Sequence, residues 1–357
     1  MECYIAPVVC PAKFIDFQIG KVLGQGAFGE VRLIKHKETM KFMALKILKR
    51  KQIIEEDVVQ HAKNEKRILG AIDNPFLVRL YFVFKNKRHL YIVLEFAQGG
   101  DLYNQSIIRN SCFSEHETRF LSGQVLLGLE YMHSCNIVYR DLKPENILLS
   151  ISGNVKLTDM GFAKRVDLRT YTFCGTPPYI APEIIAFNGY GKAADWWSFG
   201  VFVYVLASGS LPFYHEKDEK LYELIMQGKF EQNPRFSEPL KELIKNLLQG
   251  DLSKRWGNLY KGVEDIKKAE FYESINWMGL YNGLIESPIQ IPSEKCVEML
   301  TNFKEVELLK EPITEEEQEW GAKFPYLTRQ YKYSELSRRA NRAFTDVACD
   351  PLGEALT

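Results

Sequence analysis

Val138-Tyr139-Arg140-Asp141-Leu142-Lys143-Pro144-Glu145-Asn146 is a short polar loop between a helix-like run and the apolar strand Ile147 to Leu149. It sets an acid, a cation and an amide close together in the chain. That set suits phosphoryl transfer: Asp141 orients an attacking hydroxyl and accepts its proton, Lys143 neutralises the moving phosphoryl group, and Asn146 ligates magnesium. A charged surface turn accounts for the same residues equally well. The rest of the chain has to decide between them.

The chain has 357 residues, enough for two lobes and a tail, and its 46 basic residues balance 46 acidic ones. That neutrality gives no reason to expect nucleic acid or an anionic membrane as the main partner. The 7 cysteines are scattered, with neither zinc-like pairing nor a disulfide framework. Met1-Glu2-Cys3 opens no secretory signal and lacks the glycine needed for myristoylation. The longest apolar run, Val201 to Ala207, is too short to span a bilayer. These features predict a cytoplasmic, or also nuclear, protein in a reducing compartment.

Upstream, Gly24-Gln25-Gly26-Ala27-Phe28-Gly29 has a G-x-G-x-x-G spacing shared with dinucleotide-binding folds, where a helix must follow. Here Val31 to Ile34 and Phe42 to Leu48 read as strands around a turn at His36 to Thr39. The glycines therefore occupy a strand–strand bend, where bare amides can approach phosphates. Lys46, inside an apolar strand, is costly without a partner. Glu65, in the helix-like stretch Val58 to Leu69, offers one. Phe76 to Phe84 and His89 to Phe96 read as two further strands, and Gln98 to Asp101 as a flexible hinge.

Ser114-Glu115-His116-Glu117 is a capping box opening a helix whose Phe120, Leu121, Val125, Leu127, Leu129 and Met132 need burial. The opening loop hangs from the end of that helix. Asp159, after the short strand Asn154 to Leu157, reads as a second magnesium ligand or as a turn residue beside Gly161. Asp195 starts an apolar helix.

Taken in order, the glycine loop, Lys46, Glu65, Tyr139-Arg140-Asp141, Asn146, Asp159-Met160-Gly161, Ala181-Pro182-Glu183, Asp195 and Arg255 resemble the eukaryotic protein kinases over about Phe17 to Tyr272. Phrases such as Asn64 to Leu69, Thr172 to Pro177 and Asp251 to Asn258 are most similar to the AGC group and its cAMP-dependent members. The resemblance implies an α+β, bilobal fold with a small antiparallel-sheet N-lobe (about 17–97) and a larger helical C-lobe (about 98–272). An N-terminal extension (1–16), an AGC-like tail (273–327) and an unassigned stretch (328–357) flank it.

The same resemblance implies a Ser/Thr kinase using ATP and Mg2+. Asp141, Lys143, Lys46 and Glu65 would be catalytic, and Asn146 and Asp159 would hold the metal. The nucleotide would meet Leu23, Gly24, Gly26, Phe28, Gly29, Val31, Ala44, Lys46, Leu94, Glu95, Ala97, Leu148 and Thr158. Thr172 would be the activating phosphosite, read by Arg140, Lys164 and His61. Asp101 and Glu145, with Glu307, would read arginines before the acceptor. Phe173, Pro177 and Ile180 would line the pocket for an apolar residue after it. Glu183 would pair with Arg255. The implied partners are protein substrates and a cyclic-nucleotide-binding regulatory subunit.

The chain departs from the pattern at Tyr139 (usually His), Met160 (usually Phe), Pro178 and Val205 (both usually Glu). Met160 is expected to pack with Leu69, Leu80 and Tyr139. Val205 removes a partner from a guanidinium two residues before the acceptor, about 1.5–3 kcal/mol if buried. A basophilic enzyme with weakened demand there is expected, and the regulatory subunit is weakened with it. Thr301-Asn302-Phe303 matches the start of a nucleotide-covering tail segment, with Val306 where an aromatic belongs. Thr314 reads as a turn phosphosite, and Phe324 and Leu327 as a degenerate hydrophobic motif. The competing reading is a nucleotide-binding scaffold without transfer activity, against which the intact Lys46, Glu65, Asp141, Lys143, Asn146 and Asp159 stand.

Overall fold

The computed structural model describes residues 12–26, 29–55, 59–86, 88–292, 300–301 and 303–306. Phe28, Asn302, Glu307, Thr314, Phe324 and Leu327 lie outside them. By their contacts the residues form two compact units, one within 1–59, 80–96 and 298–357, the other within 60–79 and 97–297.

The first unit is built on β1 (Phe17–Gly26), β2 (Gly29–His36), β3 (Phe42–Lys49), helix α1 (Arg50–Glu55) and, after helix α2 (Val59–Ala71) of the second unit, β4 (Leu80–Lys85) and β5 (His89–Leu94). The sheet runs β1-β2-β3-β5-β4 with every neighbouring pair antiparallel. Period-two alternation sorts the side chains. Met43, Leu45 and Ile47 join Phe17, Ile19, Ile34, Tyr91 and Val93 in one core. Ala44 and Lys46 face the other way, opposite Leu33 and Val31 of β2. Phe303 packs edge-on against Phe42, centroids 5.7 Å apart, on that same face, and Val306 N–H donates to Ile19 O at 2.7 Å.

The expected strand Phe76 to Phe84 is split. Only Leu80 onward joins the sheet, whereas Val78 N–H donates to Leu157 O and Leu157 N–H to Phe76 O in the second unit. An apolar run shows that a segment wants burial, not which neighbour will take its backbone hydrogen bonds.

The second unit contains α3 (Leu102–Arg109), α4 (Glu115–Ser134), the short strands β6 (Ile137–Val138), β7 (Ile147–Leu149), β8 (Val155–Leu157) and β9 (Lys164–Arg165), then α5 (Pro182–Ile185), α6 (Ala193–Ser208), α7 (Asp218–Gln227), α8 (Glu238–Leu247), α9 (Glu264–Lys267) and α10 (Trp277–Tyr281). The capping box starts α4 as read: Ser114 Oγ accepts Glu117 N–H, and the Glu117 carboxylate accepts Ser114 N–H at 2.8 Å. α6 is buried nearly all round, which makes it the core helix of the unit. Arg255, fully buried, is forked onto Glu183 at 2.6 and 2.9 Å and also donates to the Gln249 and Ala193 carbonyls.

The hinge expected at Gln98 to Asp101 is pinned within the second unit. Gly99 N–H donates to Leu149 O and Leu149 N–H to Gly100 O, both at 2.8 Å, while Gln105 Nε2 holds the Gly99 carbonyl. A Cβ on Gly99 would sit 2.8 Å from Leu149 Cβ, so glycine here serves close packing rather than flexibility.

Candidate active site

The loop of the opening stretch is held from beneath by α6. Asp195, buried in the first turn of that apolar helix, accepts Tyr139 N–H and Arg140 N–H, each at 2.8 Å, and lies 2.7 Å from His133 Nε2. Arg140 takes φ 69°, a left-handed backbone that costs a non-glycine residue about 1–3 kcal/mol. The two bonds to Asp195 hold it there. Tyr139 then donates its hydroxyl to Thr158 O at 2.6 Å, tying the loop to the residue before Asp159. Burial, and then the charges of Asp141, Asp159 and Asp195, push that phenol well above its usual range, so it stays a donor. This bond gives the Tyr-for-His departure a purpose. Met160 is fully buried, as are Leu69, Leu80 and Tyr139.

Asp141 is buried and its carboxylate is fixed by three side chains. Thr176 Oγ1 donates to Oδ1 at 2.7 Å, Asn146 Nδ2 to Oδ2 at 2.7 Å, and Lys143 Nζ stands 3.0 Å from Oδ2. Lys143 also donates to Thr176 Oγ1 at 2.7 Å. Acid, cation and hydroxyl thus form one closed network. This is the arrangement required to receive a proton from an incoming hydroxyl and to meet the charge on a transferring group.

The hairpin β7–β8 supplies the second carboxylate. Ile147 pairs with Leu157, and Thr158 N–H donates to Asn146 O at 3.0 Å, so Asn146 and Asp159 leave the same end of the hairpin. Asp159 is exposed at φ 52°, with Gly161 N–H donating to its Oδ1 at 3.3 Å. Asn146 spends its amide nitrogen on Asp141, and its amide oxygen remains an acceptor. A carboxylate and an amide oxygen suit a hard cation such as Mg2+, which takes few protein ligands and completes its shell with water and phosphate oxygens.

In the first unit, Gly24 and Gly26 have open space where a side chain would be, as a phosphate cradle requires. Gly29 does not: a Cβ there would run into the Ile47 carbonyl, so this glycine serves the approach of β2 to β3. Val31, Ala44 and Lys46 share one sheet face by register. Lys46 is half-buried and Glu65 buried, and each engages other groups. Glu95 is half-buried, and Leu94 and Ala97 are buried at the end of β5 and just beyond it. Leu23 and Leu148 are half-buried.

Thr172 is exposed, and its carbonyl accepts the Tyr190 hydroxyl at 2.6 Å. The cations assigned to it engage neighbours in the same segment. Lys164 Nζ donates to Thr170 Oγ1 at 3.0 Å, Arg140 to Phe162 O and Tyr190 Oη, and His61 meets the Phe162 ring edge-on. Phe173 stacks on Phe187 with centroids 5.6 Å apart and meets Tyr222 edge-on. Ile180 is buried and, with Cys174, Thr176 and Tyr179, lines a cavity of ≈ 10 Å³, about the space of one water. Pro177 is half-buried beside them. Glu145 is exposed next to the loop, whereas the Asp101 carboxylate caps α3 by accepting Asn104 N–H and Nδ2–H at 2.8 and 2.7 Å.

Sequence reasoning did not single out His133 or Tyr190. Nothing in their spacing marks them, since His133 is defined by Asp195, 62 residues away, and Tyr190 by Arg140, 50 residues away. The position of Asp195 did carry a signal: an acid at the head of an apolar helix must find donors once buried.

A model of the protein kinase domain matches residues 17–272. The chain is 42% identical over 281 residues to cAMP-dependent protein kinase type 3 of Saccharomyces cerevisiae, covering 78% of this chain and 70% of that one. It is 38% identical to cAMP-dependent protein kinase catalytic subunit PRKX of Homo sapiens, over 80% of this chain and 82% of that one. With cAMP-dependent protein kinase catalytic subunit 3 of Drosophila melanogaster it shares 41% identity, over 77% of this chain but only 47% of that longer one.

Proposed function

The chain belongs to the protein kinase family, and on that premise we propose that Asp141 is the residue that orients and deprotonates the acceptor hydroxyl. The protein is a serine/threonine kinase of the AGC group, an ATP-using transferase acting on proteins. The closed network of Asp141, Lys143, Thr176 and Asn146 is the observation that carries the assignment. Asp141 takes the hydroxyl proton as the acceptor oxygen attacks, Lys143 meets the charge on the phosphoryl group, and Thr176 keeps the two in register.

Asn146 and Asp159 would hold Mg2+, which when bound shields the charge of the nucleotide phosphates. Gly24 and Gly26, with no side chain in the way, would let the phosphates come close to the backbone. Val31, Ala44, Leu94, Ala97, Leu148, Leu23, Glu95 and Thr158 take the roles the resemblance gives them around the nucleotide, as Lys46 and Glu65 do at its phosphates. Thr172 phosphorylation switches the enzyme by drawing Arg140, Lys164 and His61 from their present partners onto the phosphate.

The preferred substrates are basic, read by Glu145 with weakened demand where Val205 and Pro178 replace acids. The likeness to cAMP-dependent kinase catalytic subunits supports a cyclic-nucleotide-binding regulatory subunit, weakened by Val205, and a cytoplasmic location. No helix among the described residues is long and apolar enough to cross a membrane.

The test is phosphate transfer from ATP and Mg2+ to a peptide library varying arginine at the positions before Ser or Thr, with Asp159→Ala run in parallel. Transfer that the substitution abolishes supports the reading. No transfer even with Thr172 phosphorylated refutes it.

A further inference from the structure

The loop ahead of α6, residues 187–190, holds the segment that carries Thr172 residue by residue from Arg169 to Cys174. Arg169 donates to the Asn188 carbonyl at 3.3 Å, and Thr170 and Tyr190 exchange backbone N–H···O bonds, both at 2.9 Å. Tyr171 covers Gly189, where a Cβ would come within 2.6 Å of its ring. The Thr172 carbonyl accepts the Tyr190 hydroxyl at 2.6 Å, Phe173 stacks on Phe187, and Cys174 Sγ stands 3.5 Å from Tyr190 Oη.

One of these contacts reaches beyond the segment. Tyr190 is buried, and its oxygen makes two bonds at once: it donates to the Thr172 carbonyl and accepts Arg140 Nη1–H at 3.1 Å. Burial, partly offset by the Arg140 charge, pushes the phenol above its usual range, so at neutral pH the hydroxyl keeps its proton and stays a donor. Arg140 directly precedes Asp141, gives its own N–H to Asp195 and sends Nε to the Phe162 carbonyl. A single hydroxyl therefore joins the backbone of the phosphosite to the neighbour of the catalytic acid. Lys164 and His61 engage the Thr170 hydroxyl and the Phe162 ring instead.

We propose that Tyr190 is a positioning residue for the Thr172 switch: its hydroxyl keeps the phosphosite within reach of Arg140, so that a phosphate on Thr172 meets a cation already tied to the catalytic loop. The inference rests on the reading of Thr172 as the activating phosphosite and adds the group through which that site acts. When Arg140 turns to the phosphate, the bond from Tyr190 to the Thr172 carbonyl remains and holds the segment in place. The ordering precedes the phosphate, so less of the new attraction is lost to it.

The test compares the parent with Tyr190→Phe, each carrying phosphothreonine at 172 and each as Thr172→Ala, by kcat/KM on one basic peptide. Phenylalanine keeps the buried ring and removes both bonds. The parent should gain activity on phosphorylation, and Tyr190→Phe should lose about tenfold of that gain, within the ordinary range of coupling between two sites. Tyr272→Phe is the control. It removes another buried hydroxyl of the same unit, one bonded to Ser122 at 2.8 Å, and should lower stability while leaving the gain intact. A role in stability alone would lower both forms of Tyr190→Phe equally, and that result overturns the inference.

The shift in denaturation midpoint caused by Thr172 phosphorylation reads the same coupling without transfer, and it should be smaller in Tyr190→Phe than in the parent. If no form transfers phosphate but this difference persists, the kinase reading fails and the role of Tyr190 stands. If phosphorylation changes neither activity nor midpoint in the parent, the reading of Thr172 fails and the inference falls with it. If the parent is activated and Tyr190→Phe is activated as strongly, the inference alone is overturned.

Discussion

Replacing Asp195 with Ala tests how the catalytic loop is held in place. The carboxylate is fully buried and accepts the backbone N–H groups of Tyr139 and Arg140 at 2.8 Å each. Removing it strands two buried donors, each at about 1–3 kcal/mol, so about 2–6 kcal/mol of stability should go. His133 loses its 2.7 Å partner as well. Set against a typical total of about 5–15 kcal/mol, that is a large fraction, and the variant should still fold with a lower denaturation midpoint.

Activity should suffer beyond stability, because Arg140 no longer has a reason to keep its φ of 69°. Once that strain relaxes, Asp141 moves with its neighbour. The expected signature, measured at a temperature where the variant is folded, is a kcat reduced at least about a hundredfold with KM for ATP changed little. Urea denaturation with steady-state kinetics reads both effects. Asp195→Asn should be no rescue, since an amide presents one oxygen and one NH2 to two N–H donors. A variant within about 1 kcal/mol of the parent with unchanged kcat would refute the anchoring argument, the smallest loss expected for one orphaned donor.

Thr176→Val removes the hydroxyl bridging Asp141 and Lys143, and kcat should fall about tenfold to a hundredfold, as for one charge-assisted bond, while Thr176→Ser keeps most of it. Glu183→Ala strands the buried Arg255 and should cost about 3–5 kcal/mol in denaturation, whereas Glu183→Leu combined with Arg255→Met should recover much of that loss. Gly29→Ala forces a Cβ into the Ile47 carbonyl and should lower stability and raise KM for ATP together. At Glu117, burial alone would raise the carboxyl, but hydrogen bonds from Arg109 and Ser114 outweigh it and hold the group below its ordinary range. Its contribution is therefore present above the unfolded value and lost as pH falls through the lower folded one, so the stability gap between the parent and Glu117→Gln should close on acidification.

What could be read from the chain and what could not divides along the range of the interactions. The capping box, the strand alternation around Lys46 and the pairing partners Glu183 and Arg255 were legible, through local spacing or family order. At Gln98 to Asp101 glycine answers to two opposite needs, freedom and close approach, and the Leu149 backbone shows that Gly99 meets the second. Gly29 repeats the lesson inside a motif read as a phosphate cradle, where Gly24 and Gly26 are open and Gly29 is crowded by its own sheet.

Tyr139 shows the reverse. It departs from the family pattern, yet its hydroxyl bridges the catalytic loop to the strand leading to Asp159. Whether a substitution weakens a site depends on what the new atoms reach. Here the phenol reaches the backbone carbonyl of Thr158, which argues that Tyr139 preserves the site rather than marks its loss.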